Sequence, residues 1–216
     1  MKQYLNDQER TKLNQRIAET EKRTGVQVVL AVIERSDSYH ELPWKAFALG
    51  AAAGGLAAML FSQLRPGWPS GMAVLTAVVT TLLVGAACAL LCIAVPALAR
   101  LLLDAHRAEV EVRQYAQALF LDHQLFATRG RTGILLLVSM FERQVVLLPD
   151  KGLDKRLTRE AMHEIVSGMT AALAAGWVAP ALESGLEGLE KRLAATSTGS
   201  SPENELPDAV IEEKGS

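Results

Sequence analysis

Charge is what the middle of this chain lacks. Between Ala46 and Ala99 the only ionisable charge is Arg65, and all 24 acidic residues lie outside that stretch. Aromatics make up only 5% of the 216 residues, and the formal net charge is −2. Together these exclude a base-stacking platform and the basic balance of a nucleic-acid binder. There are two cysteines, Cys88 and Cys92, one helical turn apart inside an apolar run. No CxxC pair, zinc spacing or disulfide framework exists, so both read as small apolar residues. Also missing are HExxH, a GxSxG nucleophile elbow, a Walker A loop and GxGxxG.

The uncharged stretch contains two apolar runs, about 46–64 and 72–95, joined by Arg65-Pro66-Gly67-Trp68-Pro69-Ser70-Gly71. A bilayer core of about 30 Å needs about 20 apolar residues in a helix, and both runs meet that length. A soluble core helix of this length normally keeps a polar stripe; neither run has one. The pattern therefore predicts a two-helix transmembrane hairpin. Ala46, Gly50, Gly54 and Ala58 recur every four residues. With Thr81, Gly85 and Ala89 they predict a close helix–helix face of small residues. Arg65 and Trp68 fall where interfacial anchors are expected. The apolar run follows a long polar leader and lacks a signal-peptide layout. Lys45 precedes the first run, and Arg100 and Arg107 follow the second. The positive-inside rule then places both termini and the polar domain in the cytoplasm. The expected location is a bacterial inner (plasma) membrane.

The flanking polar sequence has its own order. Asn6 and Glu9 form a capping box for a helix over 6–24 that Gly25 stops. Val26–Glu34 is short and β-branched, a buried strand. An amphipathic helix over 104–125 carries Val112, Tyr115, Ala116, Leu119 and Phe120 on one stripe, and is expected to run on from the second apolar run with a bend near Pro96. Gly133–Ser139 and Gln144–Pro149 predict an antiparallel hairpin. Helices follow, one capped by Thr158 and one from about Pro180 to Leu193. The tail 195–216 reads as acidic and disordered. A lone N-terminal strand needs partners, so it should join the 133–149 strands in one sheet covered by helices. The domain plan is 1–45 and 100–194 as one polar domain, interrupted by a hairpin over 46–99.

The segments TGVQVVLAVIERSDSY and QYAQALFLDHQLFATRGRTGILLLVSMFERQVVLLPDKGL, with the helix pair after them, resemble the TPM domain. The resemblance spans roughly residues 10–38 and 108–194. It is most specific from Thr132 to Leu153, a Gly-strand-turn-charged pair-strand-Gly-Leu pattern. The inserted hairpin resembles a membrane-protein subgroup of that family. The resemblance implies an α/β/α sandwich with a small mixed sheet. It also implies association with membranes and membrane complexes, since relatives include photosystem II repair factors, accessory proteins and a receptor auxiliary subunit. Some relatives are acid phosphatases and some bind calcium. Most hold the domain outside the cytoplasm behind a signal peptide, a plan from which this chain departs.

A metal-assisted phosphatase needs carboxylates converging on a cation. Glu34, Asp37, Asp150 and Asp154 sit near predicted strand ends and are the candidate ligands for a divalent cation. Asp122 lies near a helix end, and His123 beside it reads as solvated or capping. The chain departs from the family here too. Arg131-Thr132-Gly133 stands where many relatives have Asp-Asn-Gly, and Thr158-Arg159 where many have Thr-Asp. Arg replaces acid at both places and would repel a cation. Arg129, Arg131 and Arg143 are candidates for a patch binding an anionic partner or lipid headgroup. The expected function is a membrane-anchored, non-enzymatic accessory module with no cofactor; a membrane-tethered phosphatase is the alternative. Expected partners are lipids and another membrane protein or complex, and the small-residue faces also allow homo-oligomers.

Overall fold

A computed structural model of the chain describes residues 4–64, 69–194 and 210–215. Helix α1 (Asp7–Thr24) leads into strand β1 (Gln27–Arg35), then helices α2 (Glu41–Gln63), α3 (Ser70–Ala94), α4 (Pro96–Leu102) and α5 (Ala105–Asp122). Strands β2 (Gly133–Ser139) and β3 (Gln144–Pro149), helices α6 (Arg159–Ala174) and α7 (Val178–Ala194) and strand β4 (Val210–Gly215) complete the order. The chain divides into two compact units, one of residues 1–37 with 109–216 and one of residues 38–108.

The first unit is built on a four-stranded mixed sheet in the order β3-β2-β1-β4. β1 pairs parallel with β2, Gln27 opposite Gly133 and Ile33 opposite Ser139, so sequence from both sides of the insertion shares one sheet as expected. β2 and β3 form the expected antiparallel hairpin, Ile134 opposite Pro149. Side chains alternate across the pleat. Val28, Leu30, Val32, Ile134, Leu136 and Val138 pack with Leu13, Ile17, Met169, Leu182 and Leu186. Val29, Ala31, Ile33, Leu135 and Leu137 face Val112, Ala116, Leu119 and Phe120 of α5. Both faces are covered, which explains why β1 and β2 are almost uniformly apolar. The result is an α/β/α sandwich, with α1, α6 and α7 on one face and α5 on the other.

Local signals account for the element ends. Asn6 Oδ1 accepts from Glu9 N at 2.8 Å and Glu9 Oε2 accepts from Asn6 N at 2.9 Å, the complete capping box. Gly25 adopts φ 70° and donates to Glu21 O, a left-handed stop that favours glycine. Thr158 Oγ1 accepts from Ala161 N to start α6. Arg16 and Arg23 of α1 both reach Glu190 of α7, tying two helices of one face together.

The chain's end departs from the sequence reading. Residues 210–215, assigned on composition to a disordered tail, form β4, parallel to β1 from Leu30↔Val210 to Arg35↔Gly215. Composition counts three charges in six residues but not their partners. Glu212 meets Arg10 at 3.1 Å, and Glu213 accepts from Tyr115 Oη at 2.6 Å. The rest of that tail, and the Arg65–Trp68 anchors, lie outside the described residues.

In the second unit α2 and α3 have 23 and 25 residues, long and apolar enough to cross a membrane. At 1.5 Å per residue each exceeds the roughly 30 Å of a hydrocarbon core. They pack through small residues, with Ala46, Gly50, Gly54 and Ala58 of α2 buried along with Gly85 of α3. Leu60, Leu83, Leu90 and Ile93 point outward, each more than half exposed. The chain leaves helical geometry at Val95 (φ −121°) and restarts with Pro96 at the first turn of α4. That is the bend expected at this proline.

Leu136 is fully buried, so Leu136→Ala should cost about 2–5 kcal/mol through lost transfer energy and a residual cavity. Thermal or denaturant unfolding measures it.

Candidate functional site

The sequence candidates separate to opposite ends of the sheet. Glu34 and Asp37 lie at and just past the carboxyl end of β1, both half-buried. Asp150 follows β3. Because β3 runs antiparallel, it returns Asp150 to the start of β2, where Asp150 N donates to Gly133 O at 2.8 Å. Seven residues of strand separate the two levels, roughly 20 Å at the usual rise. The four carboxylates proposed from sequence do not converge. Among the described residues no group of three or more His, Cys, Asp or Glu is placed to hold a metal ion.

At the amino end of β2, Asp150 is buried and its carboxylate is engaged. Oδ1 accepts from Lys151 N at 2.8 Å, and Oδ2 lies 2.9 Å from Arg131 Nε. Gly152 N donates to Arg131 O at 3.0 Å, closing the loop around the pair. The Arg131 guanidinium also sits 6.0 Å from the Phe126 ring centroid. Asp150 therefore ties two loops together. Asp154 is exposed after the short 3-10 turn Lys151–Leu153 and takes no part in that network. Asp122 and His123 are exposed at the end of α5, with His123 N donating to Leu119 O.

At the carboxyl ends of β1 and β2 a different carboxylate is central. Glu142 Oε1 accepts from Ser36 N at 2.8 Å and from Ser36 Oγ at 2.6 Å. Glu142 Oε2 accepts from the buried Ser139 Oγ. Backbone bonds from Met140 N to Ile33 O and from Phe141 N to Glu34 O extend the β1–β2 pairing into the turn. Arg143 occupies φ 54° and is exposed. Sequence reasoning passed over Glu142, taking Glu142-Arg143 as the charged pair of a hairpin turn. The available signal was a serine ending a predicted apolar strand three residues before an acid. The three arginines do not form one patch. Arg129 and Arg131 flank the start of β2, whereas Arg143 lies in the turn at the other end.

The helix-pair glycines are at the contact. A Cβ on Gly50 would fall 2.7 Å from Cys88 Sγ and 2.9 Å from Val84 O. On Gly54 it would meet Val84 Cβ at 3.0 Å, and on Gly85 the Phe47 ring at 2.9 Å. Small residues here let the backbones approach closely.

The fold defines the class, an α/β/α domain on a mixed four-stranded sheet with a two-helix apolar insertion in the β1-to-α5 connection. The TPM domain family model matches residues 93–192. That match starts at the end of α3 and runs through α7. The structure adds α1 and β1 from before the insertion to the same unit. The solved structure of BA42 protein from the psychrophilic bacterium Bizionia argentinensis shares the fold. It is 13% identical, with a TM-score of 0.60 over 99% of this chain and 98% of that one. No curated protein matches the sequence.

Two contrasts test these assignments. Asp150→Asn should cost about 1–3 kcal/mol by breaking a charge-assisted network, while Asp154→Asn should stay within about 0.5 kcal/mol of wild type. Unfolding curves compare them. Gly50→Leu should lower the melting temperature of the helical signal in detergent, whereas Gly71→Leu, with nothing within 4 Å of its Cβ position, should not.

Proposed function

We propose that α2 and α3 cross a lipid bilayer as a hairpin, and that the TPM domain they anchor is a non-catalytic interaction module for a membrane complex. The observation that carries the first part is the inside-out character of the pair. Gly50, Gly54 and Gly85 are packed inward, while Leu83 is 65% and Ile93 67% exposed. Exposing so many large apolar residues to water is costly, at roughly 25 cal/mol per Å². Lipid removes that cost, and a soluble helix pair would bury the same residues between its helices.

Basic residues support the orientation. Lys45, Arg100 and Arg107 bracket the two apolar runs in sequence, against Arg65 alone in the link. Both termini and the domain are then cytoplasmic, at the inner membrane of a bacterium. Trp44, 72% exposed beside Lys45, suits the headgroup level.

The interaction role rests on how the carboxylates are used. Asp150 is committed to Arg131 and a loop amide, and Glu142 to Ser36 and Ser139. Hydrolysis assisted by a divalent cation needs acids gathered on one ion with a free position for water. These acids instead serve as loop ties at opposite ends of the sheet. Partners on this reading are lipids and another membrane protein, with a second copy of the chain as a further possibility to test.

Alkaline carbonate washing should leave the protein in the membrane pellet; release into the supernatant would refute the hairpin. Mild detergent purification followed by crosslinking should recover reproducible membrane partners. Purified protein should release no phosphate from aryl phosphates with magnesium, manganese or calcium at acid or neutral pH. Metal-dependent turnover abolished by Asp150→Asn or Asp154→Asn would replace the module with a tethered phosphatase.

A further inference from the structure

The edge of β1 that carries β4 is built as a reading groove. β4 lies parallel along it from Leu30 to Arg35, and each of its first four side chains meets a matched feature. Val210 is buried in the cluster that contains Leu13 and Ile17 of α1. Ile211 packs on the α5 side with Val112 and Ala116. Glu212 points to Arg10 of α1, at 3.1 Å. Glu213 points the other way to Tyr115 of α5, whose hydroxyl donates at 2.6 Å. Burial first, and then Glu213, push the Tyr115 phenol above its ordinary range, so it remains a donor. Asn14 Oδ1 accepts from Val210 N at 3.3 Å and sets the entry point. At the far end Gly215, with φ 76°, passes so close to Arg35 that a Cβ would strike its carbonyl oxygen. Helices α1 and α5 thus select side chains from both faces, while the β1 backbone supplies register.

We propose that this groove is a peptide-recognition site for an extended segment of a partner protein, with two apolar residues followed by two acidic ones, and that residues 210–215 occupy it in cis as a displaceable stand-in. The mode is strand exchange at the β1 edge, in which main-chain bonds give affinity and alternate pockets give specificity. β4 is the terminal strand of the sheet, with neighbours on one side only. Two apolar side chains and the Glu212 and Glu213 contacts hold it, and its other side is open. As part of the same chain, the cis strand is present at an effective concentration on the order of mM. An identical strand from a second copy therefore loses to it below that concentration. A partner segment with a better-fitting version of the pattern displaces it. The groove belongs to the sheet and α1 and α5, and does not depend on α2 and α3 crossing a bilayer.

The test uses the full chain in detergent and a fluorescent peptide of the 210–215 sequence. Doubly reversing the cis strand (Glu212→Lys with Glu213→Lys) should raise peptide affinity at least about tenfold over wild type. Adding Arg10→Glu should remove that gain, and a peptide with both acids changed to lysine should bind neither chain. Equal affinity for both chains, or equal binding of the two peptides, would overturn the proposal. Hydrogen exchange on the wild-type chain guards against a variant that fails to fold. Amides of 210–215 should exchange at least about a hundredfold faster than those of 134–138, reporting local opening. Equal protection would mean that β4 leaves only on global unfolding and is no stand-in. A concentration-dependent dimer that the peptide suppresses would make the second copy the donor and overturn a separate partner.

Discussion

The parallel pairing of β1 with β2 constrains everything else in the first unit. Parallel neighbours need a crossover that carries the chain from the end of one strand back to the start of the next. Here α5 makes the return, burying Val112, Ala116 and Leu119 against Ala31, Ile33 and Leu135. The apolar helices are inserted in the connection before it.

Much of this was legible because each signal was local or periodic. The capping box at Asn6 and Glu9, the stop at Gly25, the Thr158 cap and the strand runs at 26–34, 133–139 and 144–149 all appear where patterns place them. The small-residue repeat through Gly50 and Gly54 foretold which face of α2 meets α3. β4 was missed because its signal is not local. Val-Ile-Glu-Glu-Lys has no alternation that distinguishes it from a solvated tail. Its acids become favourable only beside Arg10 and Tyr115, residues distant in sequence. Long-range pairing of this kind overrides composition.

The candidate site was less legible, for a geometric reason. Reading strand ends along the chain groups Glu34, Asp37, Asp150 and Asp154 as neighbours of strand termini. Direction decides which terminus each one joins, and the antiparallel turn at Phe141–Arg143 sends Asp150 to the opposite end from Glu34. The same turn supplies Glu142, whose carboxylate holds Ser36 at the end of β1 and Ser139 at the end of β2. Arg131, read as part of an anion patch, instead neutralises Asp150. Charge that looked available for a ligand is spent within the fold.

The register that sets Gln27 opposite Gly133 also fixes an order of events during synthesis. β1 emerges from the ribosome early, almost wholly apolar, and its first partner is made only after both long apolar helices. Until then α1 alone is available to shield it. Strands separated this far along a chain close slowly and stay open to misassociation in the interval. The capped α1 beside it thus has a duty before the sheet exists, keeping a sticky strand from other nascent chains.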